Sequence, residues 1–205
     1  MIKVTYNGGF FSCCSLRLHQ IVEYYNKHNL LPYEVDSSEQ FHACKHPNMI
    51  SSDITFDFFE DYKNVNIDIS NINHINYHHI HQFSDYRNLD FKIIKVFNKY
   101  FSPSLQIINT VDYLEDKYQL KVQYENICVL FYRGNDKATE MKLTPYSDFV
   151  SRAKILQREN PNIMFLIQSD ETEFIEYMSH EFPLNSFYFK DEIRHISKNG
   201  SVVNV

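Results

Sequence analysis

Three charged residues that could form a phosphate-binding loop follow an apolar run in the second half of the chain. Residues 127–130 are Ile, Cys, Val and Leu, and Arg133, Asp136 and Lys137 come shortly after them. The run predicts a buried strand, and open α/β sheets bind ligands at the carboxyl ends of their strands. There an Arg can fork onto a phosphate, an Asp can hold that Arg or a ligand hydroxyl, and Gly134 lets the backbone come close. The alternative is a surface loop in which Asp136 caps a turn and pairs with Arg133.

A second pair of charged residues follows the next apolar run. Asp170 and Glu171 come after Phe, Leu, Ile and Gln at residues 165–168, which predict another strand. Because the carboxyl ends of parallel strands meet at one edge of a sheet, we expect Arg133 and Asp170 on the same edge. The alternative is a helix start, with Asp170 as the N-cap and Glu173 completing a capping box.

Residues 125–190 resemble the nucleotide-binding domain of alpha-1,6-fucosyltransferases and of the related nodulation and protein O-fucosyltransferases. That family carries His-x-Arg-Arg-x-Asp-Lys after the first strand of this domain, then Thr-Glu and a helix-opening Pro, and its next strand ends in Thr-Asp-Asp. The matching residues are Arg133, Asp136, Lys137, Thr139, Glu140, Pro145, Asp170 and Glu171. The Arg-x-x-Asp-Lys element is the specific part of the match. Phe131 stands at the family's His, and Gly134 stands at its second Arg.

The resemblance implies a glycosyltransferase of the GT-B architecture, in which two Rossmann-like domains flank the active site. It implies inverting transfer of fucose or a similar sugar from a nucleoside diphosphate, with GDP-fucose favoured, to an acceptor hydroxyl that the sequence does not identify. No metal or other cofactor is expected. Arg133 would be the catalytic residue that neutralises the departing diphosphate. The expected donor-binding residues are Arg133, Asp136, Lys137, Asp170 and Glu171, and the expected cleft-facing loop is Asn7, Gly8, Gly9 and Phe10.

Alternating strand and helix patterns predict an α/β fold with Rossmann-like parallel sheets. A strand, a Gly-Gly turn and a helix are predicted at residues 2–28, and a short strand at 54–59. We expect an N-terminal, acceptor-side domain at residues 1–125 and part of a C-terminal nucleotide-sugar-binding domain at 126–205. The second domain is short for a GT-B enzyme, and the family's last motif has no counterpart after His195. The alternative function is therefore a non-catalytic binding or structural protein that kept the fold and lost the donor site.

Composition and charge exclude some classes of function. The 205 residues carry a formal net charge of -6, which argues against a protein that binds nucleic acid through phosphate contacts. The amino terminus shows no signal-peptide pattern, and no apolar run is long enough to cross a bilayer. We therefore expect a cytoplasmic or otherwise soluble protein. The four Cys residues show neither metal spacing nor a disulfide framework and predict reduced thiols.

A His-rich stretch contains His74, His78, His79 and His81. No carboxylate or Cys lies at a regular spacing from it, and its surroundings predict loops, so the sequence predicts no metal site. Arg17 and His19 lie on the first predicted helix, and the sequence assigns neither of them a role.

Overall fold

The computed structural model describes residues 1–49, 51–79, 89–139 and 141–190. The chain divides into two compact units, an N-terminal unit at residues 1–114 and a C-terminal unit that begins at Glu115. Glu140 and His81, which the sequence analysis names, lie outside the described residues. The predicted division at residue 125 into an acceptor-side and a nucleotide-sugar domain is a functional one and stays a prediction.

The N-terminal unit begins with a βαβ arrangement. Strands β1 (Ile2–Lys3) and β2 (Val35–Asp36) pair in parallel, and helix α1 (Phe10–His28) lies between them in the chain. The predicted Gly-Gly turn precedes α1, with Gly9 as the N-cap in an extended conformation. Asn29, with a φ of 52°, ends the helix and donates its backbone N–H to the Tyr25 carbonyl oxygen.

Among the described residues, helices α2 (Thr55–Phe58), α3 (Ile93–Phe101) and α4 (Leu105–Lys117) follow. The predicted strand at 54–59 is wrong, because this segment forms the short helix α2. Asp53 Oδ1 accepts hydrogen bonds from the backbone N–H and the hydroxyl of Thr55, at 3.0 and 2.5 Å. An Asp that binds the backbone two residues ahead favours a turn over an extended strand.

The core of the N-terminal unit lies beneath one face of α1. Leu18, Ile21, Val22 and Tyr25 are buried at helical spacing. They pack in a cluster with Val4, just after β1, and with residues of β2 and α3 that include Val35, Val96 and Tyr100. The buried face of helix α1 is therefore anchored in this core.

The C-terminal unit has the order β3 (Ile127–Tyr132), α5 (Tyr146–Glu159), β4 (Met164–Ser169), α6 (Thr172–Glu181) and β5 (Ser186–Phe187). Its three strands are parallel and adjacent in chain order. Two parallel sheets with intervening helices confirm the predicted α/β class. A βαβαβ unit with this strand order has the topology of half a Rossmann-like sheet.

The two crossover helices of this unit pack against one face of the sheet. Leu130 and Tyr132 from β3 meet Phe165 and Ile167 from β4, with the buried side chains Val150, Ala153, Phe174, Ile175 and Met178 of α5 and α6 above them. The expectation that residues 127–130 form a buried strand is wrong in part, because Val129 on the opposite face is 54% exposed. Strand β3 alternates between buried and exposed residues toward its carboxyl end, as a strand covered on one face does.

Candidate functional site

The loops that follow β3 and β4 are bonded to each other at the carboxyl edge of the sheet. The strands end in register, with Tyr132 opposite Ser169. The backbone N–H of Gly134 donates to Asp170 Oδ1 at 2.9 Å, and Asn135 Nδ2 donates to the Asp170 carbonyl oxygen at 2.7 Å. We call the group of Arg133, Gly134, Asn135, Lys137, Tyr146, Asp170 and Glu171 the carboxyl-edge site.

Glu171 is an acidic residue buried within this site. Only 8% of its surface is exposed, and its carboxylate accepts a hydrogen bond from the Tyr146 hydroxyl. Its backbone N–H donates to Ser169 Oγ at 2.9 Å. Burial, and then the neighbouring Glu171 carboxylate, raise the pKa of Tyr146 above the usual range of a phenol, so Tyr146 remains a donor at neutral pH.

The position of Glu171 explains why residue 134 is a glycine. A Cβ atom on Gly134 would overlap Oε1 and Cδ of Glu171 and lie 2.7 Å from its Oε2. Gly134 does not have a positive φ, so its backbone conformation does not itself require glycine. The requirement is steric: the Glu171 carboxylate occupies the space that a side chain at position 134 would enter.

The two cations of the site differ in exposure. Arg133 is exposed and Lys137 is half-buried. The backbone of Asp136 begins the single turn of 3₁₀ helix Asp136–Thr139, and the Ala138 N–H closes the loop by donating to the Gly134 carbonyl oxygen at 2.9 Å. Arg133 thus lies in a loop whose backbone is held at the next residue, Gly134, by hydrogen bonds to Asp170 and Ala138.

The carboxylate of Asp170 has one oxygen in use and one without a partner. Oδ1 accepts from Gly134, whereas Oδ2 is buried and has no hydrogen-bond partner among the described residues. The helix-cap alternative places Asp170 at the N-cap, but the N-cap of α6 is Glu171, and its side chain makes no capping hydrogen bond. Asp170 therefore joins the two loops and keeps one acceptor that no described group satisfies.

The loop of Asn7, Gly8, Gly9 and Phe10 belongs to the N-terminal unit, where its contacts are structural. Asn7 Oδ1 accepts the backbone N–H of His42 at 3.1 Å. The Phe10 ring packs against Phe41 and Phe58, at centroid distances of 5.4 and 4.8 Å. That this loop also faces a cleft stays a prediction.

Sequence reasoning missed Asn135 and Tyr146 as members of the carboxyl-edge site. Asn135 lies inside the recognised motif, at a position where the family pattern specifies no residue. Tyr146 follows Pro145 at the start of α5, and only its placement over Glu171 gives it a role.

Comparisons with known proteins find no relative. No protein-family model, no curated protein and no solved structure matches this chain. None of the helices in the described residues is long and apolar enough to cross a membrane. Function must therefore be argued from the residues of the site.

Proposed function

We propose that this chain is a glycosyltransferase that moves a sugar, with fucose from GDP-fucose favoured, from a nucleoside diphosphate to an acceptor hydroxyl. One observation carries the proposal. The Arg133–Lys137 loop leaves the carboxyl edge of a parallel sheet and is held there by Asp170, which itself follows the neighbouring strand. In α/β proteins this edge is the usual place for a nucleotide.

The reaction needs positive charge at the leaving group. The acceptor oxygen forms a bond to the anomeric carbon from the face opposite the diphosphate, and the hydroxyl loses its proton. The bond between the anomeric carbon and the β-phosphate oxygen breaks, and its electron pair leaves with the diphosphate. Arg133 neutralises the charge that grows on the diphosphate, and Lys137 adds to the positive potential.

The bonded loops support this role by fixing the chain on either side of the Arg133 loop before the donor arrives. Fixed donors and charges stabilise a transition state at little reorganisation cost. The hydrogen bonds to Asp170 hold Gly134 and Asn135, the residues next to Arg133. Oδ2 of Asp170, which has no hydrogen-bond partner in the described part of the chain, suits a hydroxyl of the donor. Asp136 and Glu171 complete the proposed donor-binding set.

Calorimetry with GDP on the full chain tests the proposal. Arg133→Ala should weaken GDP binding by about 10- to 150-fold, the equivalent of one charge-assisted contact of about 1.5–3 kcal/mol. Arg152→Ala is the matched control, since Arg152 is an exposed Arg on α5 of the same unit. UDP and ADP titrations determine the base preference. Equal GDP affinity in the wild type and in Arg133→Ala would refute the role of Arg133.

A non-catalytic binding or structural function is the second candidate, and one observation favours it. At Gly134, where the resembling enzymes have an Arg, the adjoining space is filled by the buried carboxylate of Glu171. An acidic group thus lies beside the position of a lost cation. GDP binding without release of GDP from GDP-fucose, across a panel of glycan and peptide acceptors, would support this second function.

A further inference from the structure

Residues 72–79 lie along helix α1 and are tied to it by side chains. Asn26 accepts the backbone N–H of Ile75 at 2.9 Å and donates to its carbonyl oxygen at 2.8 Å. The Ser15 hydroxyl lies 2.9 Å from the Tyr77 hydroxyl and 3.2 Å from the His79 carbonyl oxygen. These contacts fix the end of this segment against the middle of α1.

The contacts bring three histidines together. The ring centroids lie 4.7 Å apart for His19 and His78, 5.1 Å for His19 and His79, and 4.6 Å for His78 and His79. One ring nitrogen from each residue can be chosen so that all three lie within 4.8 Å of one another. The sequence places His19 far from the other two, so only the fold shows the cluster.

Two of these rings have a buried nitrogen that no described group satisfies. His19 is fixed on a buried part of α1, with a side chain only 9% exposed, and its Nε2 lies 3.3 Å from Glu23 Oε1. Its Nδ1 and the Nδ1 of His79 are buried without a hydrogen-bond partner among the described residues. A buried nitrogen without a partner is costly, and a bound ligand would remove that cost.

A carboxylate lies beside one of the three rings, because Glu23 Oε1 is 3.3 Å from His19 Nε2. A carboxylate on the second nitrogen of a ligating His is a common support in metal sites, because it fixes the ring and raises its basicity. Glu23 is placed to give that support.

We propose that His19, His78 and His79 bind one divalent transition-metal ion of the zinc type. Imidazole nitrogens suit such ions, whereas magnesium and calcium prefer oxygen ligands. Tetrahedral zinc with bonds of about 2.0–2.1 Å needs nitrogens about 3.3 Å apart, so the rings must draw together by about 1.5 Å at most. The exposed His78 can make that movement and leaves the fourth position open to water.

The ion would join α1 to residues 77–79 and so stabilise the N-terminal unit. The site lies wholly within that unit and shares no residue with the carboxyl-edge site. The inference is therefore independent of the proposed transferase function.

Calorimetry with zinc chloride on the untagged, EDTA-treated full chain tests the site. The wild type should bind one equivalent of Zn²⁺ and no Mg²⁺, and its thermal midpoint should rise with Zn²⁺. His79→Ala and His78→Ala should each lose stoichiometric binding and the thermal shift. His74→Ala is the matched control, because His74 is an exposed His of the same segment, and it should bind like the wild type.

The outcomes separate the proposal from its alternatives. His78 is exposed, so circular dichroism should show a folded His78→Ala variant even where His19→Ala fails to fold. Glu23→Gln should weaken Zn²⁺ binding by about 10- to 100-fold, as loss of a supporting carboxylate does. Absence of binding in the wild type would overturn the proposal. Equal affinity in the wild type, His78→Ala and His79→Ala would also overturn it.

Discussion

Substitution of Gly134 by alanine tests whether the carboxyl-edge site is built around Glu171. The added methyl group would overlap the Glu171 carboxylate, so one of the two must move. The carboxylate is the more mobile of the two, since it is the end of a side chain. It is also buried and accepts the Tyr146 hydroxyl, so moving it breaks that hydrogen bond.

The loss in free energy of unfolding caused by Gly134→Ala depends on the cost of displacing the Glu171 carboxylate. A hydrogen bond to a charged group contributes about 1.5–3 kcal/mol, and forcing an extra methyl into a packed site costs about 1–3 kcal/mol. These are two descriptions of one displacement, so their costs do not add. We expect Gly134→Ala to lower the free energy of unfolding by about 2 kcal/mol. With a urea slope of about 2 kcal/mol per molar, the unfolding midpoint falls by about 1 M.

Urea unfolding followed by circular dichroism measures this change, with a double mutant as the decisive test. In a Glu171→Ala background the overlap is absent, so adding Gly134→Ala should cost less than about 0.5 kcal/mol. Gly9→Ala is the control, because no described atom lies within 4 Å of a Cβ there, and it should cost less than about 1 kcal/mol. If Gly134→Ala lowers the free energy of unfolding by the same amount in the wild type and in the Glu171→Ala background, the steric explanation is refuted.

Two further predictions concern the N-terminal unit. Burial raises the pKa of Cys14 to about 12 and also raises the pKa of Cys44, but Cys44 is the exposed thiol of the four. Ellman's reagent should therefore show one phase faster than the others that Cys44→Ser removes, and survival of that phase in the variant would contradict the assignment. Hydrogen bonds from Ser38 lower the pKa of Asp36 in the folded chain. The ionised Asp36 therefore stabilises the fold above its unfolded-state pKa of about 3.9, and this stabilisation is lost as the pH falls through its lower folded-state pKa. Asp36→Asn should therefore melt below the wild type at pH 7, with the gap closing in acid; a gap independent of pH would contradict this linkage.

The sequence predicted the C-terminal unit well because local patterns determine its elements. The apolar run at 165–168, predicted as a strand, lies within β4 (Met164–Ser169), and the helix start considered at Asp170 precedes α6 (Thr172–Glu181). Apolar runs bounded by Asn, Pro and charged residues predict strands that alternate with crossover helices. The same patterns do not report whether both faces of a strand are covered, which is why the exposure of Val129 was missed.

The sequence did not predict the histidine cluster, because the contacts that form it follow no periodic pattern of apolar residues. Side-chain hydrogen bonds bring residues 75–79 to α1, with Asn26 bonded to Ile75 and Ser15 bonded to Tyr77 and His79. Hydropathy patterns treat such polar helix residues as solvent-facing. His19 lies on the same helix next to a buried stripe. A single His at such a position is usually a partly buried surface residue, and its partners lie far along the chain.

The proposed binding of a diphosphate at the carboxyl-edge site depends on the balance of charge there. The motif residues Arg133 and Lys137 supply two positive charges, against the three carboxylates of Asp136, Asp170 and Glu171. Burial strengthens the field of Glu171, because water screens a buried charge less than an exposed one. If the proposed donor binds here, its diphosphate must contact Arg133 directly, because the two cations together do not outweigh the three acids and the summed charge attracts no anion from a distance. Because of this charge balance, Arg133 is the residue that best distinguishes the proposed transferase function from the proposed non-catalytic function.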